Sequence, residues 1–217
     1  MTCGSQSKYP GQIAVNPLQC RTVRTEGQRL VGNRLALAVD LFTGRNRTIC
    51  MTRYMAGMLR GAVDRYGIAD LKAGLTHLAA LPEVDAERIG AIGFCMGGGF
   101  ALLSAHDGYA AAAVNYGQLP RDLDAAVAEA CPIVASYGRR DPSLRGAASR
   151  LDAALDKAGV THDVKEYPAA SHAFLNDTEA GPRALRPLLR VAGIGPEPES
   201  AKDAWDRIEL FFATHLS

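Results

Sequence analysis

The chain has 217 residues and a formal net charge of +1, with 24 Lys and Arg residues against 23 Asp and Glu residues. The basic residues are scattered, so the sequence lacks the charged patch of a nucleic-acid-binding or membrane-surface protein, and no apolar run is long enough for a transmembrane helix. The five cysteines are widely spaced without a CxxC pair, which argues against a disulfide framework or a metal site and favours reduced thiols in the cytoplasm.

The first 33 residues are predicted to form an irregular N-terminal segment. They are rich in Gly, Gln, Thr, Arg and Asn, contain few apolar residues and show no clear period. A loose arm and a loop with a short strand over 13–15 are both compatible with this composition. No secretion signal is expected, because residues 1–20 lack a continuous apolar stretch. A regular pattern begins at residue 34, and we predict a single domain over 34–217.

From residue 34 onwards, apolar strands alternate with amphipathic helices. The predicted strands are 35–42, 88–92, 110–116, 132–137 and 163–167. The predicted helices are 54–65, 68–81, 97–106, 121–130, 143–158, part of 181–192, and 199–215. This alternation is typical of an α/β protein, with a mostly parallel sheet covered by helices on both faces.

The segment Gly93-Phe94-Cys95-Met96-Gly97 lies between a predicted strand and a predicted helix. It has the pattern of a nucleophile elbow, with cysteine in place of serine. We expect Gly93 and Gly97 to keep Cβ atoms out of the contact between the two elements. A thiol at a helix N-terminus is biased towards the thiolate, and the Met96 amide would face a developing oxyanion. The alternative is a buried structural cysteine in a glycine-rich turn.

An elbow nucleophile needs a base and an acid that orients it, in the chain order nucleophile, acid, base. Asp141 follows the predicted strand 132–137, and His172 follows the predicted strand 163–167. Both therefore lie beyond the carboxyl ends of strands, where open α/β sheets bind ligands. The other histidines lie inside helices, at a strand start or at the chain end and are less suitable: His77, His106, His162 and His215.

Several of these motifs together resemble the dienelactone hydrolase family. The resemblance covers about residue 35 to the C-terminus and implies an α/β-hydrolase fold, no cofactor, no metal and a Cys-Asp-His triad that cleaves esters or lactones. By motif, Cys95 would be the nucleophile, Asp141 the orienting acid and His172 the general base. Candidate substrate-binding residues are Phe94, Phe174 and Asn176. The matching motifs are Val39-Asp40-Leu41-Phe42, Gly93 to Gly99, Gly138-Arg139-Arg140-Asp141, Tyr167-Pro168 and Ser171-His172-Ala173-Phe174.

The sequence departs from the family pattern in two places. The family carries a His-Glu or His-Gly loop upstream that supplies a second oxyanion amide, but residues 1–33 contain no histidine. This departure implies that N-terminal strands are partly missing and that a second copy could cover the exposed edge as a homodimer. In addition, Asn176 stands a few residues after His172, where dienelactone hydrolases carry an arginine for the substrate carboxylate.

Two functional hypotheses follow from these residues. The first is a cytoplasmic hydrolase of small carboxylic esters or lactones that forms an acyl-enzyme intermediate on Cys95. The second is a catalytically impaired α/β-hydrolase-like protein that binds a small molecule or a partner, which the N-terminal departure favours. Redox sensing through Cys95 is a weaker alternative, since no resolving cysteine lies nearby in sequence.

Overall fold

The strands form a parallel sheet. The computed structural model describes residues 13–14, 34–39, 46, 48–49, 52, 66–177 and 194–217. Four parallel strands lie side by side in the order β3-β4-β5-β6, and the two short strands β1 and β2 pair in parallel with each other. The strands are β1 (Ile13–Ala14), β2 (Ala36–Leu37), β3 (Gly90–Phe94), β4 (Ala111–Asn115), β5 (Ile133–Gly138) and β6 (His162–Tyr167).

Helices cover both faces of the four-stranded sheet. They are α1 (Tyr66–Ala79), α2 (Met96–Leu103), α3 (Leu123–Val127), α4 (Ala147–Ala158) and α5 (Pro198–His215), with a 3₁₀ turn over Ala86–Arg88. The helices α1 to α4 contact one another in chain order, whereas α5 contacts β4 and β5. Every residue of β4 and β5 is buried, as expected for central strands of a sheet packed on both sides. The α/β prediction is confirmed.

The helix α5 is fixed to the sheet by apolar packing and by a half-buried cation. Its buried face presents Trp205, Ile208 and Phe212 to the core. On the same helix, the Arg207 guanidinium donates to the Asp163 carboxylate of β6 from Nε at 2.9 Å. The same guanidinium also donates to the Asp163 backbone oxygen at 2.8 Å and lies 3.1 Å from the Tyr167 hydroxyl. These contacts connect the last helix to the outer strand of the sheet.

All five described helices begin or end one to four residues away from the predicted positions. The helix α2 ends at Leu103, so His106 lies in the following turns and not at a helix end. The helix α4 begins at Ala147, four residues later than the predicted 143, because Gly146 adopts a left-handed conformation with φ 67° immediately before it. The predicted helices 54–65 and 181–192 lie outside the described residues. Among the helices described, none is both long and apolar enough to cross a membrane.

Candidate active site

The parallel register brings three distant side chains to one edge of the sheet. Cys95 follows β3, Asp141 follows β5 and His172 follows β6. His172 Nε2 lies 3.0 Å from Cys95 Sγ, and His172 Nδ1 lies 2.6 Å from Asp141 Oδ2. Both distances are within hydrogen-bonding range, so the structure has the continuous thiol–imidazole–carboxylate arrangement of a nucleophilic triad.

Cys95 occupies a strained position at the start of α2. Its φ of 54° and ψ of −118° lie in a region that non-glycine residues rarely adopt. The Cys95 N–H donates to the Asn115 carbonyl oxygen at 3.0 Å, which ties the turn to the end of β4. The side chain remains accessible to solvent. The strain therefore lifts a thiol out of the core at a helix N-terminus, as a nucleophile elbow requires.

Close backbone contacts around the turn explain two of its glycines. A Cβ atom on Gly93 would lie 1.9 Å from the Gly97 carbonyl oxygen, and one on Gly98 would lie 2.7 Å from the Asn115 carbonyl oxygen. By contrast, a Cβ on Gly97 would meet no heavy atom within 4 Å. The expectation that Gly97 relieves a steric contact is therefore wrong, and Gly98 has that role, because β4 and the turn after it pass directly against Gly98.

The carboxylate of Asp141 is held by the chain that follows it. Its Oδ1 accepts the Ser143 N–H at 2.9 Å and the Ser143 hydroxyl at 2.6 Å, which leaves Oδ2 for the imidazole. Asp141 is buried, whereas His172 keeps some exposure to solvent. Gly138 allows the two loops to approach each other, since a Cβ there would lie 2.6 Å from the Ala170 carbonyl oxygen.

The electrostatics of the site favour a thiolate–imidazolium pair. Desolvation alone would raise the pKa of the Cys95 thiol, but the hydrogen bond and positive charge of His172 and the Met96 amide outweigh it, so that the pKa falls below its ordinary 9.0. Desolvation of His172 is likewise outweighed by hydrogen bonds to Asp141 and Cys95, which raise its pKa from 6.5 to about 10. Hydrogen bonds from His172 and Ser143 overcome the effect of burial on the pKa of Asp141 and lower it.

The other predicted site residues have different surroundings. Met96 presents its backbone N–H to the Cys95 sulfur. Asn176 is half-buried, and its Oδ1 lies 3.4 Å from the Tyr116 hydroxyl. Phe94 is half-buried and packs against Trp205, with ring centroids 5.8 Å apart. Phe174 is fully buried. Its ring belongs to the core and packs against Tyr116 and Tyr167, and a contact between Phe174 and substrate stays a prediction.

The sequence interpretation missed two polar residues that support the triad. Asn115 is fully buried, donates from Nδ2 to the Gly93 carbonyl oxygen at 3.2 Å and accepts from Cys95 N–H through its own carbonyl. Ser143 holds Asp141. The sequence Asp141-Pro142-Ser143 is a recognisable Asx-turn pattern and could have indicated the second contact. Asn115 ends an apolar strand, and a buried polar residue at that position was a signal for a structural or catalytic role.

The remaining histidines lie away from the thiol. His77 is in the last turn of α1, and His106 Nε2 lies 3.4 Å from Asp107 Oδ1. His162 opens β6 and faces Asp152 at 3.3 Å, while His215 packs against a phenylalanine ring of α5. In the part of the chain that the structure describes, no group of three or more His, Cys, Asp or Glu side chains is arranged to hold a metal ion.

Comparisons of the sequence with known proteins point to one family. The chain is 29% identical over 192 residues to a Methylorubrum extorquens protein provisionally named carboxymethylenebutenolidase. This match covers 82% of this chain and 61% of that protein. It is 27% identical over 169 residues to carboxymethylenebutenolidase of Rhodococcus opacus, covering 71% of this chain and 59% of that one. The chain spans 44 to 61% of the length of such curated relatives.

Solved structures have the same fold. A crystal structure from Klebsiella pneumoniae, provisionally described as a dienelactone hydrolase, matches with a TM-score of 0.68 at 24% identity, over 88% of this chain and 80% of the other. A dienelactone hydrolase-like promiscuous phosphotriesterase from metagenomic libraries matches with a TM-score of 0.72 at 19% identity, over 90% and 81%. The model of the dienelactone hydrolase family matches residues 26–216. The chain therefore belongs to the dienelactone hydrolase family.

Proposed function

We propose that this protein hydrolyses small carboxylic esters or lactones through an acyl-enzyme intermediate on Cys95. The observation that carries the proposal is the unbroken contact from Cys95 Sγ to His172 Nε2 and from His172 Nδ1 to Asp141 Oδ2. The lowered pKa of the Cys95 thiol and its exposure to solvent add a sulfur that ionises more readily than an ordinary thiol and can be reached by substrate. Membership of the dienelactone hydrolase family supports the same reaction class.

In the first half of the proposed reaction, the Cys95 thiolate attacks the carbonyl carbon and a carbon–sulfur bond forms. The electron pair of the C=O double bond moves to the oxygen, and the Met96 N–H donates to the resulting oxyanion. When the oxyanion collapses, the bond to the alcohol oxygen breaks, and the His172 imidazolium gives that oxygen a proton. The products are a thioester and an alcohol, which stays attached to the acyl group when the substrate is a lactone.

In the second half, water attacks the thioester and His172 accepts its proton. Collapse of the second oxyanion expels the Cys95 thiolate and releases the carboxylic acid, which restores the starting ion pair. Asp141 keeps the imidazole in the orientation that serves both steps, because its Oδ2 holds Nδ1 throughout. Because a thiolate nucleophile must stay reduced, we place the reaction in the cytoplasm.

The neutral side chain of Asn176 supports a substrate without a free carboxylate near the triad. A carboxamide can donate a hydrogen bond to a carbonyl or ring oxygen, but it does not supply the charge that an arginine gives to a bound carboxylate. We therefore expect neutral short-chain esters and lactones to be better substrates of this site than dicarboxylic or acidic lactones.

The test compares wild type with Cys95→Ala on a chromogenic acetyl ester at neutral pH. We expect the variant to lose about 10³-fold or more in kcat/KM, because the covalent step has no substitute. Mass spectrometry of rapidly quenched wild-type protein should find one acetyl group on the peptide that carries Cys95. Cys131→Ala is the matched control, since burial raises the pKa of that thiol to about 11 and leaves it unreactive.

Equal rates in wild type and Cys95→Ala would overturn the proposal. A folded wild-type chain that neither turns over the ester nor becomes acetylated on Cys95, yet binds a small ester, would support the non-catalytic binding module in its place. A Cys131→Ala rate equal to that of wild type would show that the loss in Cys95→Ala is specific to this thiol.

A further inference from the structure

One buried residue beside the triad has no place in the reaction described so far. Tyr116 follows β4 directly, is 1% exposed and has a φ of 40°. In the described part of the chain, the non-glycine residues with positive φ are Cys95, Tyr116 and Ala173. The first is the proposed nucleophile, and the third follows the proposed base. Backbone strain of this kind is retained where the surrounding structure requires it, often at functional sites.

The ring of Tyr116 packs against the imidazole of His172. The two ring centroids are 5.2 Å apart with an interplanar angle of 60°, which is an edge-on arrangement. Tyr116 itself packs against Phe174, at 5.7 Å between centroids, and its N–H donates to the Ser136 carbonyl oxygen at 2.8 Å. A buried ring held by its own packing and backbone hydrogen bond can therefore limit rotation of the imidazole side chain.

The hydroxyl of Tyr116 reaches the same loop at a second point. It lies 3.4 Å from Asn176 Oδ1, four residues after His172, and is placed to donate to it. The Asn176 N–H donates to the Ala173 carbonyl oxygen at 3.1 Å, so the loop turns back on itself between the two contacts. One tyrosine thus touches both the base and the amide that is the candidate for substrate binding.

We propose that Tyr116 is a positioning residue, whose ring fixes the imidazole of His172 and whose hydroxyl fixes the carboxamide of Asn176. The two halves of the residue have separate effects. The ring keeps Nε2 directed at the thiol, and the hydroxyl orients an amide towards substrate. The inference rests on the proposed function, because it gives both contacts of Tyr116 a role in catalysis by Cys95.

The ring is tested by the pH dependence of Cys95 alkylation with iodoacetamide, followed on the Cys95 peptide by mass spectrometry. The titratable and charged groups that act on His172 in the described chain are Asp141 and Cys95. In Tyr116→Leu the imidazole is free to turn away, so the thiol loses hydrogen bonding that favours its anion. We expect the midpoint of the alkylation profile to rise by about half to one pH unit.

The hydroxyl is tested by Tyr116→Phe, which keeps the ring. We expect KM for a neutral ester to rise about 3- to 10-fold while kcat and the alkylation midpoint stay at wild-type values. Asn176→Ala should raise KM at least as much, because it removes the carboxamide itself, and the double variant should show no rise beyond that of Asn176→Ala, because the hydroxyl acts only through the carboxamide. An additive effect in the double variant would overturn this half of the proposal.

The matched controls are Tyr167→Leu and Tyr167→Phe. Tyr167 is buried and its ring also packs on Phe174, at 5.2 Å, but its hydroxyl bonds to Asp203 instead of the triad loop. We expect both controls to lose stability without moving the alkylation midpoint. An unchanged midpoint in a folded Tyr116→Leu, or in Tyr116→Met if the leucine variant does not fold, would overturn the role of the ring. If neither variant folds, an unchanged KM in Tyr116→Phe would by itself overturn the proposal.

The alkylation readout does not depend on ester turnover. If Cys95→Ala keeps full esterase activity, the proposed function fails, yet the midpoint in Tyr116→Leu still reports whether the ring positions His172 against the thiol. Conversely, loss of activity in Cys95→Ala with an unchanged midpoint in Tyr116→Leu would retain the hydrolase and remove the positioning residue.

Discussion

The turn that carries Cys95 and the loop that carries His172 are held in place by different parts of the chain. The nucleophile turn is held largely by main-chain atoms: Gly93 lies directly against the backbone of Gly97, and the Cys95 N–H binds a backbone carbonyl. The imidazole of His172 is held by side chains, since it contacts the carboxylate of Asp141 and the ring of Tyr116. Backbone contacts therefore position the Cys95 thiol, whereas side-chain contacts position the His172 imidazole.

This difference separates the effects that substitutions should have. A substitution in the turn that carries Cys95 alters backbone packing and should lower the free energy of unfolding. A substitution of a side chain around His172 leaves the backbone in place and should change the pKa of Cys95 or the rate of ester hydrolysis. The two regions can therefore be tested independently, with unfolding measurements for the first and titration of the thiol for the second.

The largest effect is expected for Gly93→Ala. Its Cβ would lie 1.9 Å from the Gly97 carbonyl oxygen, a contact with backbone that no rotamer change can relieve. We expect a loss of more than about 3 kcal/mol in the free energy of unfolding, or failure to fold, as measured by urea denaturation.

Gly97→Ala is the control for this prediction, because a Cβ there meets nothing within 4 Å. Alanine is the better helix former, so this variant should be as stable as wild type or more stable by up to about 1 kcal/mol. Similar losses in both variants would show that the turn is not held by the close contact between its backbone atoms.

An intermediate effect is expected for His172→Gln on the thiol. In wild type, His172 overcomes the desolvation that by itself raises the pKa of Cys95. Without the imidazole, desolvation dominates, and the pKa moves towards or above its ordinary 9.0. We expect the pH midpoint of Cys95 alkylation to rise by more than about one unit.

The matched variant is His106→Gln, because His106 faces Asp107 and has no contact with the thiol. Its alkylation profile should superimpose on that of wild type. A midpoint that stays low in His172→Gln would mean that the helix N-terminus and the Met96 amide alone hold the thiolate, and that the nucleophile turn determines reactivity without the base.

The smallest effect is expected for Ser143→Ala. Asp141 loses the hydroxyl donor at 2.6 Å but keeps the backbone N–H at 2.9 Å, so its pKa should rise slightly and its orientation loosen. We expect kcat/KM for a neutral ester to fall about 2- to 10-fold. Ser149→Ala removes a hydroxyl that donates to the Gly146 carbonyl in the first turn of α4, and its rate should equal that of wild type. A wild-type rate in Ser143→Ala would mean that the backbone N–H of residue 143 is sufficient to hold Asp141 and that the hydroxyl is not needed.

The contacts of Cys95 and Asp141 with His172 could be predicted from the sequence because each of the three residues follows a recognisable strand. An apolar strand and a glycine-rich turn identified Cys95, and the ends of two further strands identified Asp141 and His172. Parallel strands place their carboxyl ends at one edge, so three local patterns were sufficient to bring these residues together. The start of α4 was predicted too early because two features precede the helix: the turn formed by Asp141 and Ser143, and the left-handed Gly146.

The supporting residues depend on contacts between segments that are far apart in sequence. The need for a glycine at 98, and not at 97, arises from the backbone of Asn115 and Gly117 in the turn after β4. Tyr116 is an ordinary strand-end tyrosine in sequence, and its contact with His172 spans 56 positions of the chain. Neither contact can be recognised from a local sequence pattern, because each one depends on how the ends of neighbouring strands pack together.

The attachment of α5 has a consequence for the growing polypeptide. Residues 198–215 leave the ribosome after every member of the triad, yet Trp205 packs against Phe94, the residue before the thiol, and Arg207 binds Asp163 of the outer strand. The residue before the thiol and the outer strand therefore gain these contacts only after the last helix has been synthesised and has packed against the sheet.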